Sequence, residues 1–210
     1  MSSIVADPDV EVIPTNEDGF VILGPEDQPT NIDGSDGLDV IQTGDQTDDI
    51  SGGDGDDVAL GGAGNDQISG DEGDDVVLGG AGNDQITGGE GDDQVLGGEG
   101  DDQITGGEGD DQVLGGPGND NLIIGPGEDV AIGGRGEDTF TFEFFDDAPD
   151  IITEFQSGED RIVIPGVSDQ TNVTYDPITG QLKVDGQTIA QLSSGLDLEI
   201  NQTDDGFEIL

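Results

Sequence analysis

The chain has 210 residues, of which 51 are acidic and 3 are basic, so its formal charge is −48 at pH 7. This charge excludes nucleic acid and anionic membrane surfaces as partners, because both require a basic footprint on the protein. No apolar run approaches the roughly 20 residues that would span a bilayer.

The N-terminal stretch MSSIVADPDVEVIP has no basic region followed by a long apolar one, so it does not look like a Sec-type signal peptide. We expect residues 1–32 to form a separate N-terminal segment, either irregular or a β cap. The chain has no cysteine and no histidine, so the sequence predicts neither a disulfide framework nor a zinc or copper site.

Residues 33–140 consist of twelve consecutive nonapeptides; written from the second residue of each block, their pattern is G-G-x-G-x-D-x-U-x, where U is apolar. A low content of hydrophobic residues with a high net charge is typical of disorder. A disordered linker or acidic tail, however, would not keep a nine-residue period over twelve repeats. The aspartate of the pattern recurs in every repeat. These motif aspartates are Asp39, Asp48, Asp57, Asp66, Asp75, Asp84, Asp93, Asp102, Asp111, Asp120, Asp129 and Asp138.

The apolar residue of each repeat predicts a short strand with one side chain that points inward. One such side chain cannot form a core by itself, so the repeats must stack. The residues that flank it are predicted to face outward and alternate in character, for example Val76 and Leu78 followed by Gln85 and Thr87. This alternation has a period of two repeats. The sequence therefore predicts an all-β parallel β-roll, a two-sheet solenoid with about 18 residues per coil, whose six coils extend about 29 Å.

Stacked coils would bring equivalent aspartates together. Two unit charges about 5 Å apart repel by roughly 3 kcal/mol at an effective dielectric of 20, so we expect cations between the coils. Aspartate carboxylates and the carbonyls of glycine-rich turns are oxygen ligands in flexible loops. They suit calcium better than magnesium, which requires stricter geometry.

These repeats resemble the RTX (repeats-in-toxin) family. The resemblance implies a β-roll with calcium ions between adjacent turns on each edge, each held by a motif aspartate and by carbonyls of two loops one coil apart. It thus implies that the twelve motif aspartates are metal ligands, and two edges of six loops would hold about ten ions. Ser35, Gln46 and Asp71 replace glycines, and we expect the loops that depart from the pattern to bind less well.

Residues 141–210 are predicted to form a small β-rich cap. The segment resembles the RTX C-terminal cap, although Glu154 stands where that pattern has aspartate. The matching residues are Asp138, Thr139, Phe140, Phe142, Asp150, Ile152, Phe155, Gly158, Asp160 and Ile162. From Val173 onward, alternating apolar residues predict a β-meander, with a hairpin turn at Asp185 and Gly186.

The chain ends in DDGFEIL, which resembles the uncleaved signal of RTX proteins exported by type I secretion. The resemblance implies the type I secretion machinery as a partner and an extracellular location. We expect the repeats to stay expanded at the low calcium concentration of the cytosol and to fold on calcium binding outside.

Catalysis is not expected, because the chain has no histidine for H-E-x-x-H and no G-x-S-x-G nucleophile elbow. Ice binding is disfavoured because the turns hold Asp54, Ala63 and Glu72 rather than a threonine ladder. The leading prediction is a secreted calcium-binding structural or matrix protein.

The alternative is a calcium-dependent adhesin or surface-assembly module. It rests on an outward leucine ladder that would serve self-association or a surface partner, unless the N-terminal segment or the cap covers it. The ladder consists of Leu60, Leu78, Leu96 and Leu114.

Overall fold

The computed structural model describes residues 5–6, 10–14, 19–142, 148–167, 170–203 and 206–210, and their regular structure is β throughout. The strands before the regular repeats are β1 (Val5–Ala6), β2 (Glu11–Pro14), β3 (Phe20–Leu23), β4 (Asn31–Asp36) and β5 (Val40–Gln42). The strands of the repeats are β6 (Asp49–Asp54), β7 (Val58–Ala63), β8 (Gln67–Glu72), β9 (Val76–Ala81), β10 (Gln85–Glu90), β11 (Gln94–Glu99), β12 (Gln103–Glu108), β13 (Gln112–Pro117), β14 (Asn121–Ile124), β15 (Val130–Arg135) and β16 (Thr139–Phe142). The later strands are β17 (Asp150–Thr153), β18 (Arg161–Pro165), β19 (Val173–Asp176), β20 (Gln181–Val184), β21 (Gln187–Gln191), β22 (Ile200–Thr203) and β23 (Gly206–Ile209).

Most repeats fold as a six-residue strand followed by a tight turn. In β10 the side chain of Ile86 is buried, while Gln85 and Thr87 on either side of it are exposed. The turns need glycine because the coils approach closely. At Gly55, which has a φ of 136°, an added Cβ would lie only 2.7 Å from the carbonyl carbon of Gly37 in the preceding coil.

The strands alternate between two sheets. Sheet I has the order β1-β4-β6-β8-β10-β12-β14-β16-β18-β23-β22, and sheet II has the order β19-β20-β21-β17-β15-β13-β11-β9-β7-β5-β3-β2. Strands β10 and β12 pair in parallel with Ile86 opposite Ile104, a shift of 18 residues. The predicted parallel β-roll with two sheets and 18 residues per coil is confirmed.

The parallel stacking extends beyond the twelve repeats at both ends. Strand β3 pairs in parallel with β5, and β16 pairs in parallel with β18. The roll therefore has eight coils, two more than the six predicted from the repeats, because flanking strands without the glycine pattern continue the same pairing. The division of the chain at residues 32 and 140 remains a prediction.

The core is a column of one apolar side chain per strand, as the repeat pattern predicts. Ile50, Ile68, Val77, Ile86 and Ile104 are each at most 2% exposed. At the C-terminal end the column widens into Phe140, Phe142 and Phe155, and the rings of Phe140 and Phe155 are tilted with their centroids 6.0 Å apart. Two other phenylalanines of this region, Phe144 and Phe145, lie outside the described residues.

Antiparallel strands close both ends. At the N-terminal end, β1 pairs with β4 and β2 pairs with β3. At the C-terminal end, β23 pairs with β18, and the predicted meander forms from β19, β20 and β21. Its predicted hairpin turn is confirmed at Asp185 and Gly186, which have φ values of 51° and 89°.

The outer faces of the two sheets differ. Strands β7, β9, β11 and β13 carry the predicted leucine ladder on sheet II, where each leucine is half-buried beside its in-register neighbours. On sheet I a groove of about 450 Å³ is lined by glutamine, serine and threonine, including Gln67, Gln85 and Thr87. No helix in the described part of the chain is long and apolar enough to cross a membrane.

Candidate metal sites

The turns of the roll lie along two edges. Edge 1 is formed by the turns that lead from sheet I to sheet II, and edge 2 by those that lead from sheet II to sheet I. All twelve motif aspartates are buried. Edge 1 holds Asp39, Asp57, Asp75, Asp93, Asp111 and Asp129; edge 2 holds Asp48, Asp66, Asp84, Asp102, Asp120 and Asp138.

One oxygen of each motif carboxylate is used to join neighbouring coils. The backbone N–H of Asp57 donates to Oδ1 of Asp75 at 2.7 Å, and the N–H of Asp75 donates to Oδ1 of Asp93 at 2.8 Å. The same bond spans 18 residues along edge 2, where the N–H of Asp66 donates to Asp84 at 2.8 Å. Each carboxylate is thereby fixed in rotation, so the direction of its second oxygen is fixed as well.

The second oxygen, Oδ2, is buried in both edges and accepts no hydrogen bond from any described residue. The motif aspartates with this arrangement include Asp57, Asp66, Asp75, Asp84, Asp93, Asp102, Asp111, Asp120 and Asp138. Burying a charged oxygen without a partner costs several kcal/mol, and buried carboxylates are normally paired or bound to a metal. A row of such oxygens is therefore a set of candidate metal ligands.

Most of these oxygens share their space with a backbone carbonyl from the next coil. A Cβ added at Gly61 would lie 2.6 Å from Oδ2 of Asp66 and 2.7 Å from the carbonyl oxygen of Gly79. At Gly52 the corresponding distances are 2.7 Å to Oδ2 of Asp57 and 2.5 Å to the carbonyl oxygen of Gly70. The glycines thus keep open a small space lined by oxygen atoms from two coils.

Burial raises the pKa of the motif aspartates. The pKa of Asp57 rises to about 7, first because of burial and then because of the charges of Asp75 and Asp39, although the hydrogen bond from the backbone of Asp39 opposes the rise. On edge 2, burial raises the pKa of Asp66 and Asp102 to about 6. Without a cation the folded roll therefore disfavours the charged form of these groups.

The donor set fits calcium. Within the described ranges, no three or more acidic side chains converge on one point, so a site would combine one buried carboxylate oxygen with backbone carbonyls. Calcium accepts six to eight oxygen ligands in flexible geometry and takes backbone carbonyls readily. The motif aspartates along one edge form a file. Calcium bound at these positions would supply positive charge that opposes the repulsion between the carboxylates of each file.

At the N-terminal end of each edge, Oδ2 of the motif aspartate accepts a hydrogen bond, unlike Oδ2 of the interior motif aspartates. The Oδ2 of Asp39 accepts hydrogen bonds from the N–H and the hydroxyl of Ser35, at 2.6 and 2.9 Å, so here the protein itself satisfies this oxygen. Ser35 is one of the residues that replace glycine in the repeat. Asp48 is also partly satisfied, by the N–H of Gly44 at 3.3 Å. These contacts are consistent with the expectation that the irregular N-terminal loops bind less well.

Both files continue past the predicted repeats. The N–H of Asp129 donates to Oδ1 of Asp150, and the N–H of Asp138 donates to Oδ1 of Asp160, each at 3.1 Å. Both later aspartates are buried. They were recognised only as part of the cap pattern, because the spacing from the last repeat aspartates is 21 and 22 residues and breaks the nonapeptide phase. Glu154, by contrast, is exposed, with a φ of 61°.

A second ladder of side chains precedes the motif aspartates, and it was not predicted from the sequence. The residue immediately before each interior motif aspartate is Asp or Asn, and its side chain accepts a backbone hydrogen bond from the next coil. The N–H of Asp92 donates to Oδ1 of Asp74 at 3.0 Å on edge 1, and the N–H of Asn83 donates to Oδ1 of Asn65 at 2.9 Å on edge 2. The signal was the restriction of this position to Asp and Asn from residue 56 to residue 119.

Comparison with known families supports the same chemistry. A family model described as RTX calcium-binding nonapeptide repeat (4 copies) matches five stretches that together cover more than half of the chain. They are residues 30–59, 51–86, 60–95, 87–122 and 124–147. The chain belongs to the RTX calcium-binding nonapeptide repeat family. No curated protein matches the sequence.

The RTX match has two consequences. It establishes a calcium-binding RTX-type protein, whose β-solenoid is a structural, calcium-binding fold. The match ends at residue 147, so the resemblance of the following segment to an RTX C-terminal cap remains a prediction. The assignment of individual aspartates as ligands and the number of about ten ions are likewise predictions.

Proposed function

We propose that this RTX protein is secreted, folds when it binds calcium, and acts as a structural or matrix component through the calcium-loaded roll itself. The observation that carries the proposal is the row of buried Oδ2 atoms without hydrogen-bond partners in the described structure, most of them beside a carbonyl of the next coil. The twelve motif aspartates are its proposed ligands, with the interior ones as the firmest.

Calcium would act on folding through charge. In the folded roll, neighbouring motif carboxylates raise one another's pKa in addition to the effect of burial, as Asp102 and Asp138 do for Asp120, whose pKa rises to about 7. An unfolded chain separates these charges and hydrates them. A cation that binds only the folded state stabilises it by mass action, so its binding free energy becomes folding free energy.

The same linkage supports export. A chain that stays expanded at low calcium can be threaded through a type I channel and then fold outside, where calcium reaches the 10⁻⁴–10⁻³ M range over which extracellular modules bind it. The C-terminal residues DDGFEIL are the proposed export signal. In the folded roll Phe207 is 9% exposed and Ile209 is fully buried in β23. Recognition of these residues by the secretion machinery would therefore precede folding.

A calcium titration followed by circular dichroism and dynamic light scattering tests the folding proposal, with magnesium as the control. We expect a cooperative gain of β signal and a fall in hydrodynamic radius with calcium only. A chain that is already compact in chelator, or still expanded at about 10 mM calcium, ten times the upper end of the extracellular range, would overturn it.

A second function is a calcium-dependent adhesin or surface-assembly module. One observation favours it: the extensive contacts of the ladder strands β7, β9, β11 and β13 are with their sheet neighbours and with strands of sheet I, and the ladder leucines are only half-buried. The uncharged ladder of Leu60, Leu78, Leu96 and Leu114 then offers an apolar strip on a strongly acidic molecule.

A further inference from the structure

The two edges of the roll have the same geometry but different charge. On edge 1, the four interior loops 54–57, 72–75, 90–93 and 108–111 each carry three carboxylates, twelve in all. On edge 2, loops 63–66, 81–84 and 117–120 each carry only the motif aspartate, and loop 99–102 carries three, so the total is six. Successive loops lie on opposite edges because successive strands alternate between the two sheets. The more acidic loops therefore lie mainly on one side of the molecule and the less acidic loops on the other.

The extra carboxylates occupy two positions per loop, and all of them are exposed. One is the third residue of the repeat, which is Glu72 and Glu90 on edge 1 but Ala63 and Ala81 on edge 2. The other is the fifth residue, directly before the motif aspartate. The fifth residue is aspartate in the interior of edge 1 and mostly asparagine on edge 2. The residues are Asp56, Asp74, Asp92 and Asp110 on edge 1, and Asn65, Asn83, Asp101 and Asn119 on edge 2.

Aspartate and asparagine perform the same structural task at the fifth position. The N–H of Asp110 donates to Oδ1 of Asp92 at 2.9 Å on edge 1, and the N–H of Asp101 donates to Oδ1 of Asn83 at 3.0 Å on edge 2. Both side chains offer the one oxygen that this bond requires. The choice between them therefore changes the charge of the loop and leaves its hydrogen bonding unchanged.

The fifth-position charge reaches the buried carboxylates. Burial is the main cause of the raised pKa of Asp75 and Asp93, and the charge of Asp74 adds to it in both. Burial also raises the pKa of Asp84, but the neighbouring Asn83 carries no charge that could contribute. An exposed charge close enough to raise the pKa of a buried carboxylate also acts on a cation bound to that carboxylate, which it attracts.

We propose that the fifth-position aspartates make edge 1 the high-affinity calcium edge, so that the roll loads calcium in two steps, edge 1 first and edge 2 second. This inference rests on the proposed function, in which both edges take calcium through the buried Oδ2 atoms. At low ionic strength, an additional nearby carboxylate favours a divalent cation by on the order of threefold to tenfold per site. Salt screens exposed charges, so the difference between edges shrinks as ionic strength rises.

Matched charge variants test the proposal. The edge 1 variant D56N/D74N/D92N introduces the residue that edge 2 already uses, so its loops keep their hydrogen bonds. The reciprocal edge 2 variant is N65D/N83D/N119D. The control E11Q/D197N/E199Q also removes three negative charges, but from exposed sites outside the roll's loops. Folding of each variant is verified by circular dichroism at saturating calcium.

Calcium binding is measured by equilibrium dialysis with radioactive calcium, at low and at high ionic strength. We expect two classes of site in the unchanged chain, a loss of the tighter class in D56N/D74N/D92N, a gain in the weaker class in N65D/N83D/N119D, and no change in E11Q/D197N/E199Q. Removing a ligand on each side identifies the edges: D75A should deplete the tighter class and D84A the weaker one.

The outcomes separate this inference from the proposed function. A single class of calcium sites with the same affinity in D56N/D74N/D92N and N65D/N83D/N119D overturns the two-step loading and leaves calcium-driven folding intact. If E11Q/D197N/E199Q weakens calcium binding as much as D56N/D74N/D92N does, and N65D/N83D/N119D strengthens it by a similar factor at all sites, net charge is the cause and the inference is wrong. An absence of calcium binding in the unchanged chain overturns both proposals.

Discussion

The backbone N–H of Asp66 donates a 2.8 Å hydrogen bond to Oδ1 of Asp84, its counterpart one coil further along the chain, while Oδ2 of Asp84 is buried with no hydrogen-bond partner in the described structure. One carboxylate thus has two separate tasks. Its first oxygen holds two coils together, and its second oxygen is presented to the space between them. Substitutions can separate these tasks.

Replacing Asp84 by Asn keeps an oxygen for the N–H of Asp66 but removes the charge. We expect D84N to raise the calcium midpoint of folding by about threefold to tenfold, on the scale in which tenfold is 1.4 kcal/mol. D197N is the control, because Asp197 is exposed and lies outside the loops of the roll. Circular dichroism during calcium titration measures both, and equal midpoints would contradict a ligand role for Asp84.

The metal-free chain should fold better in acid. Burial raises the pKa of Asp57 and Asp111 to about 7 from the ordinary value of 3.8, so the folded state holds their protons more tightly than the unfolded state does. This contribution to stability is complete below about pH 4 and is lost as the pH rises through 6 to 7. We expect the β signal in chelator to fall over that range. A signal that is independent of pH would contradict the prediction.

Filling the space between coils should remove a site. In G61A, the new methyl group would lie 2.6 Å from Oδ2 of Asp66 and 2.7 Å from the carbonyl oxygen of Gly79, in the space proposed for the cation. We expect fewer calcium ions per chain and a loss of about 1–3 kcal/mol from overpacking. In the control G158A, the added Cβ meets nothing within 4 Å, so only the positive φ costs stability. Equal calcium stoichiometry in the two variants would refute the assignment.

The leucine ladder can be tested without disturbing the core, because Leu78 and Leu96 face outward. We expect L78S/L96S to fold with calcium as the unchanged chain does and to lose self-association or surface attachment, measured by sedimentation and by binding to cells. The control is T87A on the outer face of sheet I, where threonine is exposed. Unchanged association in L78S/L96S would count against the recognition function.

The C-terminal strand should contribute to stability. Ile209 is fully buried where β23 pairs with β18, and truncating a buried isoleucine to alanine costs about 2–5 kcal/mol. The control is I178A, because Ile178 is 87% exposed, and surface changes stay within about 0.5 kcal/mol. Urea unfolding at saturating calcium measures both. Equal stability would show that β23 does not close the roll in solution.

Much of the fold could be predicted from the sequence, because one physical rule repeats twelve times. A single inward apolar residue such as Ile86 cannot form a core unless the coils stack, and the alternation of Leu78 with Thr87 fixes 18 residues per coil. The nine-residue spacing of aspartate likewise predicted every buried carboxylate within the repeats. The sequence predicted β structure on both sides of the repeats but not that β3 and β18 continue the roll, because parallel pairing, and not the glycine pattern, places them there.

The sequence by itself determined the roll, its repeat length and the oxygen chemistry between its coils, since regular spacing of glycine, aspartate and an apolar residue leaves few other ways to bury a core. Only the tertiary structure decided how the two oxygens of each motif aspartate are used and that Asp150 and Asp160 extend the two files. These facts depend on which atoms meet across coils 18 or more residues apart, and distance along the chain does not specify that contact.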